Sequence, residues 1–295
     1  MYWYLILPLS AAIIYATASV LLKRALKEGA TMDQTFHFTN LCVTLVFLPL
    51  IFFEKEVIDW RMIWQPAIVS GLFFIGNLTT FMAIRKGDVS VVTPLMGTKV
   101  VFVGIAVVFL TKTMPSQLIW IAAFLTSVGI FLMGFSEFRK KAGESGLIAI
   151  AIVLVSAIFF ALQDVFLSYW AGGFGAMTFM VVSMAGLSAF SLIMWVVQGR
   201  PTLRMPPSSL KFGLSGGILI GLQALLMGVS LSFFNDATRI NVVYASRGLW
   251  ALAVVAFLGS YLGNDERKNS GKAFRWRIVG SILVTIAVVM AVLDR

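Results

Sequence analysis

Residues 62–110 read MIWQPAIVSGLFFIGNLTTFMAIRKGDVSVVTPLMGTKVVFVGIAVVFL. Wound as one helix, these 49 residues would run about 74 Å, more than twice the ~30 Å hydrocarbon thickness of a bilayer. The stretch therefore predicts two crossings, 62–84 and 89–110, joined by the short turn Arg85-Lys86-Gly87-Asp88. Between 89 and 110 one charge stands alone, Lys99, at the centre of the second crossing.

The same reading extends over the whole chain. Of its 295 residues 59% are hydrophobic and 12% charged, with a mean hydropathy of +0.94. An ordinary soluble domain carries roughly 25% charged residues, so the apolar excess must face lipid. Eight further segments are long and apolar enough to cross: 3–22, 35–53, 116–135, 146–169, 175–198, 211–234, 238–260 and 277–293. Trp3, Trp60, Trp64, Trp170 and Trp276 fall at their ends, where an interfacial belt belongs. The N-terminal MYWYLILPLS has neither a basic n-region nor a small-residue cleavage site, and reads as a first crossing.

The hydrophilic connector 136–145 divides the chain into a first half, 1–135, and a second, 146–295. The halves match at an offset of 145. Tyr15-Ala16 and Val20 align with Phe160-Ala161 and Val165, and Ser70-Gly71 and Ile75-Gly76 with Ser215-Gly216 and Ile220-Gly221. At an offset of 148 Asp88 meets Asp236, and Phe109-Leu110 meets Phe257-Leu258. An odd number of crossings per copy inserts the second copy upside down. The expected fold is all-α, ten transmembrane helices arranged as two inverted five-helix repeats, a plan that holds a ligand near the midplane in secondary transporters.

With ten crossings both termini share one side. Loops on the other side carry 16 cations, Lys23 to Arg277, against five on the terminal side, Lys55, Arg61, Lys112, Arg239 and Arg295. The positive-inside bias then makes the protein multi-pass in the plasma (bacterial inner) membrane with both termini outside. It also accounts for the net charge of +10 without a nucleic-acid partner, because the basic residues are spread over five loops.

The two remaining cations, Lys99 and Arg247, lie deep in crossings four and nine. Each costs roughly 2.5–3.5 kcal/mol to insert and should face the bundle interior. At the 148 offset Thr98-Lys99 falls on Ser246-Arg247, so an inverted pair brings both cations to a shared midplane site. There they would bind an anionic group, Lys99 as a point charge and Arg247 as a fork. The alternative is that they neutralise Asp164, the one acid inside a crossing, and hold helices together. Asp164 lies roughly 10 Å off-centre towards the terminal side. It is read either as the salt-bridge partner of Arg247 or as a coupling carboxylate.

Asn241, Tyr244 and Trp250 recur every three residues around Arg247 and share its face or lie beside it. Asn77, Thr79, Thr80, Gln163 and Gln223 are polar residues inside crossings that would either line a cavity or bond between helices. Gly217 and Gly221 form a GxxxG that permits close helix approach. His37 reads as capping or solvating the start of crossing two, and Cys42 stands alone, without disulfide or metal-ligand spacing. No HExxH, GxSxG, P-loop or intramembrane carboxylate pair is present, so neither an enzyme nor a metal or cofactor is expected. Expected partners are a small-molecule substrate, the bilayer and, at most, a second copy of the chain in a homodimer.

GDVSVVTPLMGTKVVFVGIAVVFL, residues 87–110, and NDATRINVVYASRGLWALAVVAFL, residues 235–258, resemble the repeated helix-three-to-four element of the drug/metabolite transporter superfamily, in its EamA-like ten-helix group. The resemblance implies alternating access around a cavity lined by helices 1, 3, 4, 6, 8 and 9, with helices 5 and 10 peripheral. It places Lys99 and Arg247 at that cavity, and phosphate-sugar carriers of the superfamily likewise carry basic residues in helices 4 and 9. Where members often have a Glu after helix four, this chain has Leu110-Thr111-Lys112-Thr113, with Glu266 at the matching place of the second half. Members are also often described with cytoplasmic termini, against the charge count. The expected function is transport of a small phosphorylated or carboxylated anion. The rival readings are an exporter of amino acids or hydrophobic compounds, with Lys99, Arg247 and Asp164 as an ion-pair lock, a lipid-phosphate flippase, and a non-transporting scaffold or receptor.

Overall fold

The structure, a computed structural model, describes residues 2–86, 95–141, 144–258 and 271–294. The Arg85–Asp88 turn beyond Lys86, the Asp88 half of the repeat match and Glu266 lie outside them. The described helices are α1 (Ile6–Lys27), α2 (Met32–Phe47), α3 (Trp64–Lys86), α4 (Lys99–Thr111), α5 (Gln117–Lys141), α6 (Glu144–Phe174), α7 (Ala176–Val197), α8 (Pro207–Phe234), α9 (Ala237–Tyr244), α10 (Arg247–Leu258) and α11 (Gly271–Leu293). Eight helical stretches, three of them extended by adjoining 3-10 turns, are long and apolar enough to cross a membrane unaided. The fourth crossing is the shorter apolar helix Met96–Thr111, and the ninth is shared between α9 and α10.

Helices overrun the predicted segments where polar residues can leave the hydrocarbon. α1 ends with Arg24 and Lys27 in its last turn, cations that suit the negative end of a helix dipole. α5 runs to Lys141 and α6 starts at Glu144, so the described residues of the expected linker, 136–141 and 144–145, are helical; residues 142–143 lie outside the described ones. α2 begins at a capping box in which Thr31 and Gln34 each satisfy the other's backbone amide.

Loop contacts fix the parity of the crossings. On one side Tyr4 reaches Asp236 and Ser116 reaches Asp294. There too, the Glu54 carboxylate accepts from the Thr178 amide at 3.0 Å, at the start of α7. Partial burial alone would raise that carboxyl, but the backbone amides of Thr178, Glu56, Lys55 and Met177 hold it below its usual range. On the other side Gln34 Nε2 donates to the carbonyls of Thr202 and Arg204, and Ser208 Oγ to that of Glu28. The described connections that these contacts join therefore sort into two faces, as ten crossings require.

Packing repeats under a shift of five crossings. α1 lies along α8 as α3 lies along α6, α2 packs on α8 as α7 packs on α3, and α5 pairs with α11. Small residues permit these approaches. A Cβ on Gly217 would stand 2.9 Å from Cys42 Sγ and one on Gly221 2.7 Å from Val46, so the GxxxG of α8 seats α2. At the α5–α11 crossing a Cβ on Gly280 would strike the Gly129 carbonyl oxygen and stand 2.6 Å from Met133 Cγ. Backbone cannot yield there as a side-chain tip would. Gly280→Ala is expected to cost about 1–3 kcal/mol by overpacking, read as a lower unfolding temperature in detergent. An unchanged temperature would mean that the two helices are free to separate.

Outward-facing side chains are apolar: Phe52, Phe109, Val197 and Phe257 are each more than three-quarters exposed, a surface suited to lipid. Trp3, Trp60, Trp64 and Trp276 are exposed at helix ends, and Trp64 meets Trp170 edge-on.

Candidate functional site

The site grows out of two tightened turns. In crossing four a 3-10 turn, Met96–Thr98, runs directly into Lys99, the first residue of α4. In crossing nine the chain turns at 245–246, with Ser246 N bonding to Val243 O and Gly248 N to Ala245 O, directly around Arg247. The predicted single helix 238–260 is thus interrupted at the position equivalent to the turn before Lys99. Short 3-10 stretches inside helices often mark functional hinges. The alignment of Thr98-Lys99 with Ser246-Arg247 identifies the same two points.

Lys99, Asn241, Tyr244 and Arg247 line one cavity together with Met96, Gly97, Val100, Ile130 and Ala245. Its volume is about 10 Å³, room for about one water molecule. Lys99 Nζ lies 2.6 Å from Asp164 Oδ2, and Asn241 Nδ2 donates to the same oxygen at 2.8 Å. Asp164 therefore pairs with Lys99, where the sequence reading favoured Arg247. The flexible lysine stem carries its ammonium off the midplane to a carboxylate displaced along α6.

Arg247 is held differently. Its guanidinium carbon lies 4.9 Å from the Tyr15 ring centroid and 4.7 Å from that of Tyr244, within cation–π range of both. Among the described residues no carboxylate lies within 4 Å of it. Tyr244 is fixed in turn by its hydroxyl, which donates to Gln223 Oε1 at 2.6 Å. Lys99 Nζ lies 5.8 Å from the Phe160 ring, so each cation faces an aromatic ring contributed by the other half. Tyr15 is the residue that sequence reasoning missed. Its match to Phe160 was visible, but served only as a sign of duplication.

The other expected site residues divide. Ser246 Oγ and Trp250 Nε1 are buried without a hydrogen-bond partner among the described residues, but neither residue lines the cavity. Thr98 Oγ1 turns back to the Leu95 carbonyl. Gln163 is buried on α6 and does not line the cavity. Asn77 bonds instead to Asn40, part of a separate network where Asn40 and His37 both meet Ser191 Oγ. His37 is accordingly buried between α2 and α7 and does not cap or solvate a helix end; its other nitrogen faces Gln198 Oε1 at 3.4 Å.

A second charged cluster lies on the terminal side. Arg239, expected in a loop, is buried in the first turn of α9 because two carboxylates compensate it: Asp294 at 2.7 Å and Asp236 at 3.2 Å. Tyr4 OH donates to Asp236 at 2.7 Å, Ser116 Oγ to Asp294 at 2.8 Å, and the guanidinium lies over the Tyr2 ring at 4.0 Å. Four chain segments meet on this one arginine.

Comparison with known proteins agrees with this architecture. Residues 2–135 match the EamA-like transporter family. An uncharacterized transporter of Archaeoglobus fulgidus (strain ATCC 49558 / DSM 4304 / JCM 9628 / NBRC 100126 / VC-16) is 29% identical over 146 residues, 48% of this chain and 51% of that protein, so the match spans about half the relative's length. A solved crystal structure superposes with a TM-score of 0.78 over 99% of both chains at 13% identity, a likeness of fold alone. The first five crossings are thus similar to the EamA-like transporter family, and the chain is a multi-pass membrane protein.

Proposed function

We propose that the protein carries a small organic anion across the bilayer by alternating access, with Arg247 as the ligand of the anionic group. One observation carries this reading: Arg247 brings a positive charge to a buried cavity with no described carboxylate within 4 Å of it, while Asp164 is in direct contact with Lys99. An ion-pair lock between crossings accounts for Lys99 but not for Arg247, which has no carboxylate within 4 Å among the described residues. Tyr15 and Tyr244 flank the guanidinium with rings 75° apart, and a carboxylate or phosphate would meet its planar fork.

Read with the cation count, the terminal face is the outer one, and the Arg239 cluster closes the outer path. A one-water cavity then belongs to a closed conformation that must widen to admit a substrate. The test is a ligand-stabilisation screen in detergent over anionic, zwitterionic and neutral metabolites, comparing wild type with Arg247→Ala. Anions are expected to stabilise the wild type alone, with affinity in the variant reduced about 30-fold or more, the usual effect of removing one partner of a buried charge pair. Anion binding retained in Arg247→Ala would end this reading and favour the exporter.

A further inference from the structure

We propose that the site is matched to a singly charged anion, of monocarboxylate type, and discriminates against dianions such as phosphate monoesters and dicarboxylates. The inference rests on the reading of Arg247 as anion ligand and deepens it. It follows from counting charge. Two cations, Lys99 and Arg247, line the cavity, and one carboxylate, Asp164, touches Lys99 at 2.6 Å. The described groups thus sum to a single positive charge, and it resides on Arg247.

Thr98, directly before Lys99, and Ala245, two residues before Arg247, keep right-handed helical dihedrals, φ −63°, ψ −18° and φ −63°, ψ −17°. The count is therefore made on the side chains. The next charged cluster works in the same direction. Arg239 with Asp236 and Asp294 sums to one negative charge, about 12 Å away along the helix, and opposes a second negative charge on the ligand.

A monoanion on Arg247 leaves a neutral, closed site, whereas a dianion leaves one negative charge uncompensated where water is scarce. Buried charge is tolerated only when paired. Lys99 cannot serve the second charge without abandoning Asp164, which would then be buried unpaired. Asn241 reinforces that allegiance by bonding to the same carboxylate oxygen.

The experiment compares length-matched acids on purified wild-type protein at neutral pH: butyrate with succinate, pentanoate with glutarate, 2-hydroxybutyrate with malate, and methanesulfonate with sulfate. Stabilisation by the monoanions at concentrations about tenfold or more below those needed for their dianions is expected. Equal or stronger stabilisation by dianions overturns the proposal and leaves the anion reading of Arg247 standing. Stabilisation by neither class, while neutral or cationic metabolites stabilise, overturns both. Asp164→Asn raises the count to two positive charges and is expected to move the preference towards the dianions. A folded variant with an unchanged preference would also overturn the charge-matching argument.

Discussion

Lys99→Met is expected to be strongly destabilising, by about 3–5 kcal/mol, because it leaves the Asp164 carboxylate buried with only an amide donor. Asp164 is 4% exposed and receives two bonds on the same oxygen, from Lys99 Nζ and Asn241 Nδ2. Adding Asp164→Asn to Lys99→Met removes the orphaned charge, and most of the lost stability should return. Unfolding temperatures of wild type, both single variants and the double variant in one detergent form the cycle. A double variant as unstable as the sum of the singles would show the two groups to be uncoupled. Recovery of stability without recovery of ligand binding would separate the pair's structural role from its role at the site.

Much of this arrangement was legible in the sequence because the constraints that set it are one-dimensional. Hydrocarbon thickness converts to a run length, so ten crossings could be read from apolar segments. Duplication converts to an offset, and that offset placed Lys99 over Arg247. What the sequence could not supply was the direction a side chain takes around its helix. Depth alone allowed Asp164 to meet either cation. The choice of Lys99 depends on the rotation of α6 against α4 and on the ring of Tyr15, which occupies the face of Arg247. Arg239 and His37 were misjudged for a related reason. Polar residues near a predicted end look solvated, but their partners, Asp294 for one and Ser191 for the other, lie 55 and 154 residues away. Such partners are set by packing and carry no local mark.

Arg239→Ala is expected to open the terminal side. Arg239 is the only described cation that holds Asp236 and Asp294 together. Without it two carboxylates face each other near Tyr4 and Ser116, and repulsion replaces attraction between the start of α9 and the end of α11. If this cluster closes the outer path, an engineered Ala237→Cys, at a position 3% exposed, should react slowly with a membrane-impermeant maleimide in the parent. In the Arg239→Ala background the same cysteine should react at least about tenfold faster, the change given by roughly 1.4 kcal/mol of shifted equilibrium. Cys42→Ala removes the single native thiol from both backgrounds. Arg239→Lys keeps one charge but loses the fork that reaches both acids, so its rate should fall between the two. Labelling as slow in Arg239→Ala as in the parent would mean that apolar packing, such as Tyr4 stacked on Phe234 at 4.4 Å, closes this side unaided. A faster reaction that an anionic substrate then slows would tie the cluster's opening to occupation of Arg247.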